Sequence, residues 1–177
     1  MIDRRRLAAG RGRLGLRAQR LAAPGDQGAG AALAGAGGEA GGVADVARVL
    51  DRMGDGIAIR CYGDPVEWEY GGAHAMLREF ARWAEIPVLN MEDDIYHPFQ
   101  GLADILTVKE KFGAFKGVKF TMAWAYSPSI HKPRAVPQSA ILYATMMGMD
   151  VTLAHPKGME LAPDILAKCA EYAATYG

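Results

Sequence analysis

"IPVLNMEDDIYHPFQGLADILTVKEKFG", residues 86–113, decides how this chain folds. Its opening run, Ile86 to Asn90, is short and apolar and reads as a buried strand. Pro98 suits the first turn of a helix. Leu102, Ile105, Leu106 and Val108 give that helix a predicted buried side, and Gly113 ends it. The unit is therefore strand, acidic turn, helix. The same unit recurs on both sides of it. Upstream, "VADVARVLDRM" sets Val43, Val46, Leu50 and Met53 on one helical face with Val49 beside them. "DGIAIRC" is a strand ending at Arg60, and "AHAMLREFARWA" is an amphipathic helix. Downstream, "GVKFTMAW" is a third strand, followed by a proline-punctuated loop, "AYSPSIHKPRAVP". "QSAILYATMMG" is a helix stopped by Gly148, "MDVTLAHP" a fourth strand, and "APDILAKCAEYAATYG" a helix with Pro163 near its start.

Apolar strands alternating with helices predict parallel β-α-β units. The expected fold class is α/β, parallel sheets with flanking helices, Rossmann-like. Ligands on such sheets bind at the carboxyl ends of strands. Arg60, the "NMEDDIYHPFQ" turn and the "WAYSP" loop all fall at those ends.

The bulk properties narrow the partners. The chain has 177 residues, room for one domain or parts of two, and half of it is apolar. Twenty basic and 20 acidic residues cancel, with a pI near 6.9, so neither nucleic acid nor a membrane surface is expected as a partner. Cys61 and Cys169 stand far apart, without metal-ligand spacing or a disulfide framework. A reducing, cytoplasmic setting follows as the default. The basic start "MIDRRRLAAG" lacks the apolar segment of a signal peptide.

Residues 1–42 differ from the rest. Of these 42 residues, 34 are Ala, Gly, Arg or Leu, and none is Val, Phe, Tyr or Trp. Such a glycine-broken segment buries too little to offset its ordering entropy, and a disordered tail is the expectation. Its composition is also what a GC-rich gene yields when read out of frame. Both origins stay open.

Three residues carry the chemistry. Arg60 supplies a fixed charge for a phosphate or carboxylate. His97 can polarise a carbonyl oxygen. Gln100 offers both an acceptor and a donor. The helix starting at Pro98 aims free amides at the same place. The structural alternative is that His97 and Gln100 cap this helix and Arg60 pairs with a surface carboxylate. Asp93, Asp94 and His97 also admit a divalent-cation reading, against which one of the two aspartates simply caps the helix. His131 sits in a basic loop and His155 in a turn. Met146, Met147 and Met149 read as core filler. Trp124 and Tyr126 either line a pocket or roof the core. There is no glycine-rich phosphate loop, no nucleophile elbow and no Cys–His pair at a suggestive spacing.

The ordered set "DGIAIRCYG", "IPVLNMEDDIYHPFQGLADILTVKEKFG" and "GVKF" resembles the aspartate/ornithine carbamoyltransferase family. That family has a His-Pro-x-Gln signature followed by Leu-Ala-Asp and a helix, and preceded by an Ile/Val-Pro-Val-x-Asn strand. The resemblance runs from Val43 to Gly177. "MAWAYSPSIHKPRAVPQSA" is similar to the branch with Trp-x-Tyr-x-Pro, which includes N-acetylornithine carbamoyltransferases. In that branch the proline-rich loop forms part of a knot, to which Pro128, Pro133 and Pro137 would belong. The Asp-x-x-Asn-Asn pattern of plain ornithine enzymes is missing.

By this resemblance, Arg60 and His97 bind the carbonyl side of carbamoyl phosphate and are the catalytic candidates. Gln100 binds the amino group, and Trp124 joins them as a substrate-side candidate. The implied reaction is attack of an amino-acid amine, ornithine or a relative of it, on carbamoyl phosphate. No metal or organic cofactor is implied, and the family is typically a homotrimer. Residues 43–112 would be the C-terminal part of the carbamoyl phosphate domain, and 113–177 the N-terminal part of the amino-acid domain. The family's Ser-Thr-Arg-Thr phosphate cradle is absent, since no serine or threonine precedes Thr107. The chain also ends before the family's His-Cys-Leu-Pro-type loop and closing helix. It is therefore expected to expose apolar surface and to turn over negligibly alone. The rival reading is a non-catalytic Rossmann-like module that binds a small anion or another subunit.

Overall fold

The computed structural model describes residues 40–125 and 134–177. Most of the segment 1–42, together with Tyr126, Pro128, His131 and Pro133, lies outside them.

The first half is built on two neighbouring strands, β1 (Ile57–Arg60) and β2 (Val88–Glu92). They pair in parallel, Ile57 opposite Val88 and Ile59 opposite Asn90. Helices α1 (Ala40–Asp51) and α2 (Gly72–Trp83) supply the residues that pack on Ile57 and Ile59. Val43, Ala47, Cys61, Ala73, Leu77 and Phe80 complete this core. Phe80 is wholly buried, which stabilises the fold by up to about 3 kcal/mol. Met53 and Val49 do not join their predicted face: they are 74% and 59% exposed. The helix stops at Asp51 and the Met53 amide closes a turn onto Leu50, so Met53 lies past the last helical turn.

The second half repeats the plan. β3 (Lys119–Ala123) and β4 (Asp150–Ala154) pair in parallel without a register break, Lys119 opposite Asp150 and Ala123 opposite Ala154. Helix α4 (Ala135–Met146) packs on them, and α5 (Pro163–Tyr176) packs on α4. Ile141, Leu142, Leu161 and Ile165 form the centre, with Met122, Trp124, Val151 and Leu153 against it. Among the described residues, one face of this sheet is covered. Lys119, Thr121, Asp150 and Thr152 look outward on the other. Helix α4 begins at Ala135, so Pro137 sits in its first turn and not in the preceding loop. A proline is tolerated there because that amide has no partner within the helix.

Helix α3 (Pro98–Phe112) joins the halves and packs on α4. Its buried side differs from the predicted one. Gly101 and Ile105 are buried and Val108 packs against the core, whereas Leu102 and Leu106 are 53% and 58% exposed. Gly101 is the reason. A Cβ there would sit 2.5 Å from Tyr143 Cδ2, so only glycine lets the two helices approach this closely. Gly113 ends the helix at a φ of 71°, the left-handed turn that glycine adopts without cost.

Candidate functional site

Parallel pairing brings the carboxyl ends of β1 and β2 side by side. The register slips between Ile59 and Arg60, so that Arg60 faces Glu92 rather than Met91. This bulge re-aims the Glu92 side chain. Its carboxylate is buried, and Arg60 Nη2 lies 2.7 Å from Oε2. His97 Nε2 lies 3.5 Å from the same oxygen. No donor reaches Oε2 in hydrogen-bonding alignment among the described residues, Arg60 included. A buried carboxylate oxygen thus points into the gap between a guanidinium and an imidazole. Arg60 also donates to the Tyr62 hydroxyl at 2.9 Å. That bond, and then the nearby Glu92 charge, raise the guanidinium pKa above its ordinary value, so the cation is permanent.

His97 is the N-cap of α3, in non-helical backbone at φ −125° and ψ 76°. Its Nδ1 accepts the Gln100 amide at 3.4 Å. An accepting Nδ1 leaves the ring proton of a neutral imidazole on Nε2, directed at Glu92. The capping role is therefore real, and it orients the ring instead of exhausting it. Arg60's partner is a buried glutamate, not a surface carboxylate. Gln100 does not join the group: its side-chain amide donates to Asp104 Oδ1 at 2.8 Å along the exposed face of α3. Trp124 stands apart as well. Its indole donates to the Met159 carbonyl at 2.9 Å and its ring packs on the second core. It also borders an open depression of about 480 Å³ with Ala123, Ala125, Ala154, His155 and Pro156.

The two aspartates have separate structural duties. Asp93 is fully buried. It accepts from the amides of Ile95 at 2.8 Å and Tyr96 at 2.5 Å and from the Asn90 side chain at 2.7 Å, and it faces His74 Nδ1 at 2.7 Å. Asp94 accepts from the Gly71 and His74 amides. It caps α2 across space, and neither aspartate caps α3 as expected. Since His97 turns to Glu92, the Asp93–Asp94–His97 set does not converge on a common point. Among the described residues no three acidic, imidazole or thiol groups are placed to hold a metal ion.

Four contributors went unread in the sequence: His74, the inward aim of Glu92, Gln138 and Ser139. Gln138 donates to the Ile95 carbonyl at 2.9 Å, and the Ser139 hydroxyl accepts the His97 amide at 2.8 Å. A Gln-Ser pair at the head of an otherwise apolar helix was the available signal. Chemically, Arg60 and the His97 ring N–H suit an anion or a polarised carbonyl oxygen, and Glu92 suits an N–H group; the helix-start amides expected to join them do not, since Pro98 has none and those of His97 and Gln100 are bonded to Ser139 and to the His97 ring.

Comparison with known proteins bears on this arrangement. The family model for aspartate/ornithine carbamoyltransferase, carbamoyl-P binding domain, matches residues 7–110, starting inside the compositionally odd segment. The N-acetylornithine carbamoyltransferase of Xanthomonas campestris is 43% identical over 118 residues, 64% of this chain and 34% of that protein. A putative carbamoyltransferase of Escherichia coli, YgeW, is 50% identical over 82 residues, 45% of this chain and 21% of that protein. A crystal structure of N-acetyl-L-ornithine transcarbamylase superposes with a TM-score of 0.69 and 38% identity, over 76% of this chain and 42% of that one. The chain thus spans about a fifth to a third of the two curated relatives. Among the described residues no helix is long and apolar enough to cross a membrane.

Proposed function

The chain belongs to the aspartate/ornithine carbamoyltransferase family, and from that premise we propose that it carries the carbonyl-binding half of a carbamoyl phosphate site. The full reaction would transfer the carbamoyl group to the amine of ornithine or an ornithine-like amino acid. The observation that carries the reading is the meeting of Arg60 and His97 on buried Glu92 at the mouth of α3. In it, Arg60 sets its permanent charge on the carbonyl side of carbamoyl phosphate. His97 donates from Nε2 to the carbonyl oxygen, where negative charge grows as the amine attacks. Gln100 reaches the carbamoyl nitrogen only by leaving Asp104, a rotation that ligand binding would drive. Trp124, held by Met159 apart from this group, is the substrate-side candidate by family resemblance alone. Catalysis here is positioning and charge stabilisation, with no covalent intermediate. The whole enzyme would work as a homotrimer without metal or organic cofactor.

The chain alone binds carbamoyl phosphate weakly and does not turn over, because it has no serine or threonine before Thr107 to cradle the phosphate. That same absence favours the second reading, a non-catalytic anion-binding module. Calorimetric titration with carbamoyl phosphate, beside a citrulline-forming assay with ornithine and N-acetylornithine, tests the set. Expected are millimolar binding, its loss in Arg60→Ala and His97→Ala, and no product. Turnover abolished by His97→Ala would overturn the inactivity of the chain. Binding unaffected by both substitutions, or none at all, would overturn the site.

A further inference from the structure

Helix α4 buries two polar side chains, Gln138 and Ser139, without any exposure. Burying an amide and a hydroxyl is unfavourable unless each finds partners. Both find them on one short turn more than forty residues away. Gln138 Nε2 donates to the Ile95 carbonyl at 2.9 Å, while its Oε1 accepts the Ala162 amide at 3.1 Å, just ahead of α5. Ser139 Oγ accepts the His97 amide at 2.8 Å. Lys168 of α5 reaches the same turn through the Tyr96 hydroxyl at 3.1 Å. The turn is held from the first half by Asp93 and from the second by these side chains.

We infer that Ser139, braced by Gln138, is a positioning residue that sets the His97 imidazole from across the fold. His97 is the N-cap, so its own amide has no partner within α3. The Ser139 hydroxyl fixes that amide, the amide fixes the backbone of His97, and the backbone together with the Gln100 amide fixes the ring. Misplacing a group at such a site by about 1 Å costs on the order of a hundredfold in rate. The helix of the second sheet therefore bears directly on the residue at the carbonyl end of the first. This rests on the carbamoyl phosphate reading only for what His97 does, not for how it is held.

The test reads the ring itself. The 1H–13Cε1 cross-peaks of the histidines, assigned by single His→Gln variants, are compared in wild type, Ser139→Ala and Ser139→Thr. Ser139→Ala moves the His97 peak and leaves that of His155 in place, and Ser139→Thr, which keeps the hydroxyl, returns it. Carbamoyl phosphate affinity falls at least tenfold in Ser139→Ala and recovers in Ser139→Thr. If Ser139→Ala does not fold, Ser139→Cys, similar in size with a poor acceptor, takes its place. An unmoved His97 peak, or one moved equally by both variants, overturns the positioning role. A wild-type chain that binds no carbamoyl phosphate overturns the proposed function instead, while the ring peaks still decide the positioning.

Discussion

Replacing Asp93 by alanine is the sharpest test of how the candidate site is built. The carboxylate meets four nitrogens: the Ile95 and Tyr96 amides, the Asn90 side chain and the His74 ring. A hydrogen bond to a charged group contributes about 1.5–3 kcal/mol net, and a buried donor left without a partner costs about 1–3 kcal/mol. The four are not additive, since one truncation releases them together. His74 is partly exposed and can turn to water. The turn also keeps its own bond from the Asp93 amide to the Tyr96 carbonyl at 2.8 Å. The net loss is then about 3–5 kcal/mol, a large fraction of the roughly 5–15 kcal/mol that holds a typical domain. Asp94→Ala removes only a helix cap and costs about 1 kcal/mol. Urea unfolding followed by far-UV circular dichroism measures both, with an unchanged slope expected in each case. An Asp93→Ala loss below about 1 kcal/mol, or no larger than that of Asp94→Ala, would refute the assignment of the turn to Asp93.

Gly101→Ala should destabilise by about 1–3 kcal/mol, because its methyl meets the Tyr143 ring. Pairing it with Tyr143→Ala in a double-mutant cycle should recover part of that loss, and strict additivity would contradict the close helix contact. Burial raises the thiol pKa of Cys61, with Asp94 and Asp93 adding to it, and burial likewise raises that of Cys169. Both thiols should react slowly with a disulfide reagent at neutral pH. A folded pKa above the unfolded one means that this contribution to stability is intact below the ordinary thiol value. It is lost as pH rises through the folded value, so stability should fall in alkali, and less steeply in Cys61→Ala.

The strand–helix alternation was legible because each strand is an apolar run closed by glycine, proline or a charged residue. Arg60 and His97 could be placed at one mouth from the parallel connection alone. What escaped depends on contacts that periodicity does not encode. The run "IPVLN" stops being apolar at Asn90, yet pairing continues to Glu92 because the bulge keeps the ladder going. Leu102 and Leu106 read as core because hydropathy ignores glycine, and it is Gly101 that chooses the buried face. Gln100 matched a signature, but its side chain binds the nearest partner, Asp104, one helical turn on. Trp124 reads equally well as pocket wall or core roof, because a strand-end indole suits both, and it packs on the core while bordering the open depression. Sequence distance favours Asp93 or Asp94 as a cap of α3, but Asp94 lies nearer in space to the orphan amides of α2, and Asp93 is taken up by the amides of its own turn. Gln138 and Ser139 gain their meaning only once residues 95–97 are folded against them.

The measurement that bears most directly on the central claim is amide and side-chain chemical-shift mapping of carbamoyl phosphate on the 15N-labelled chain. Saturable shifts are expected at Arg60, at His97–Gly101 and at the Gln100 side-chain amide as it leaves Asp104, with residues 165–176 of α5 silent. Shifts confined to Ala123–Ala125 and Ala154–Pro156, or none up to saturating ligand, would contradict it.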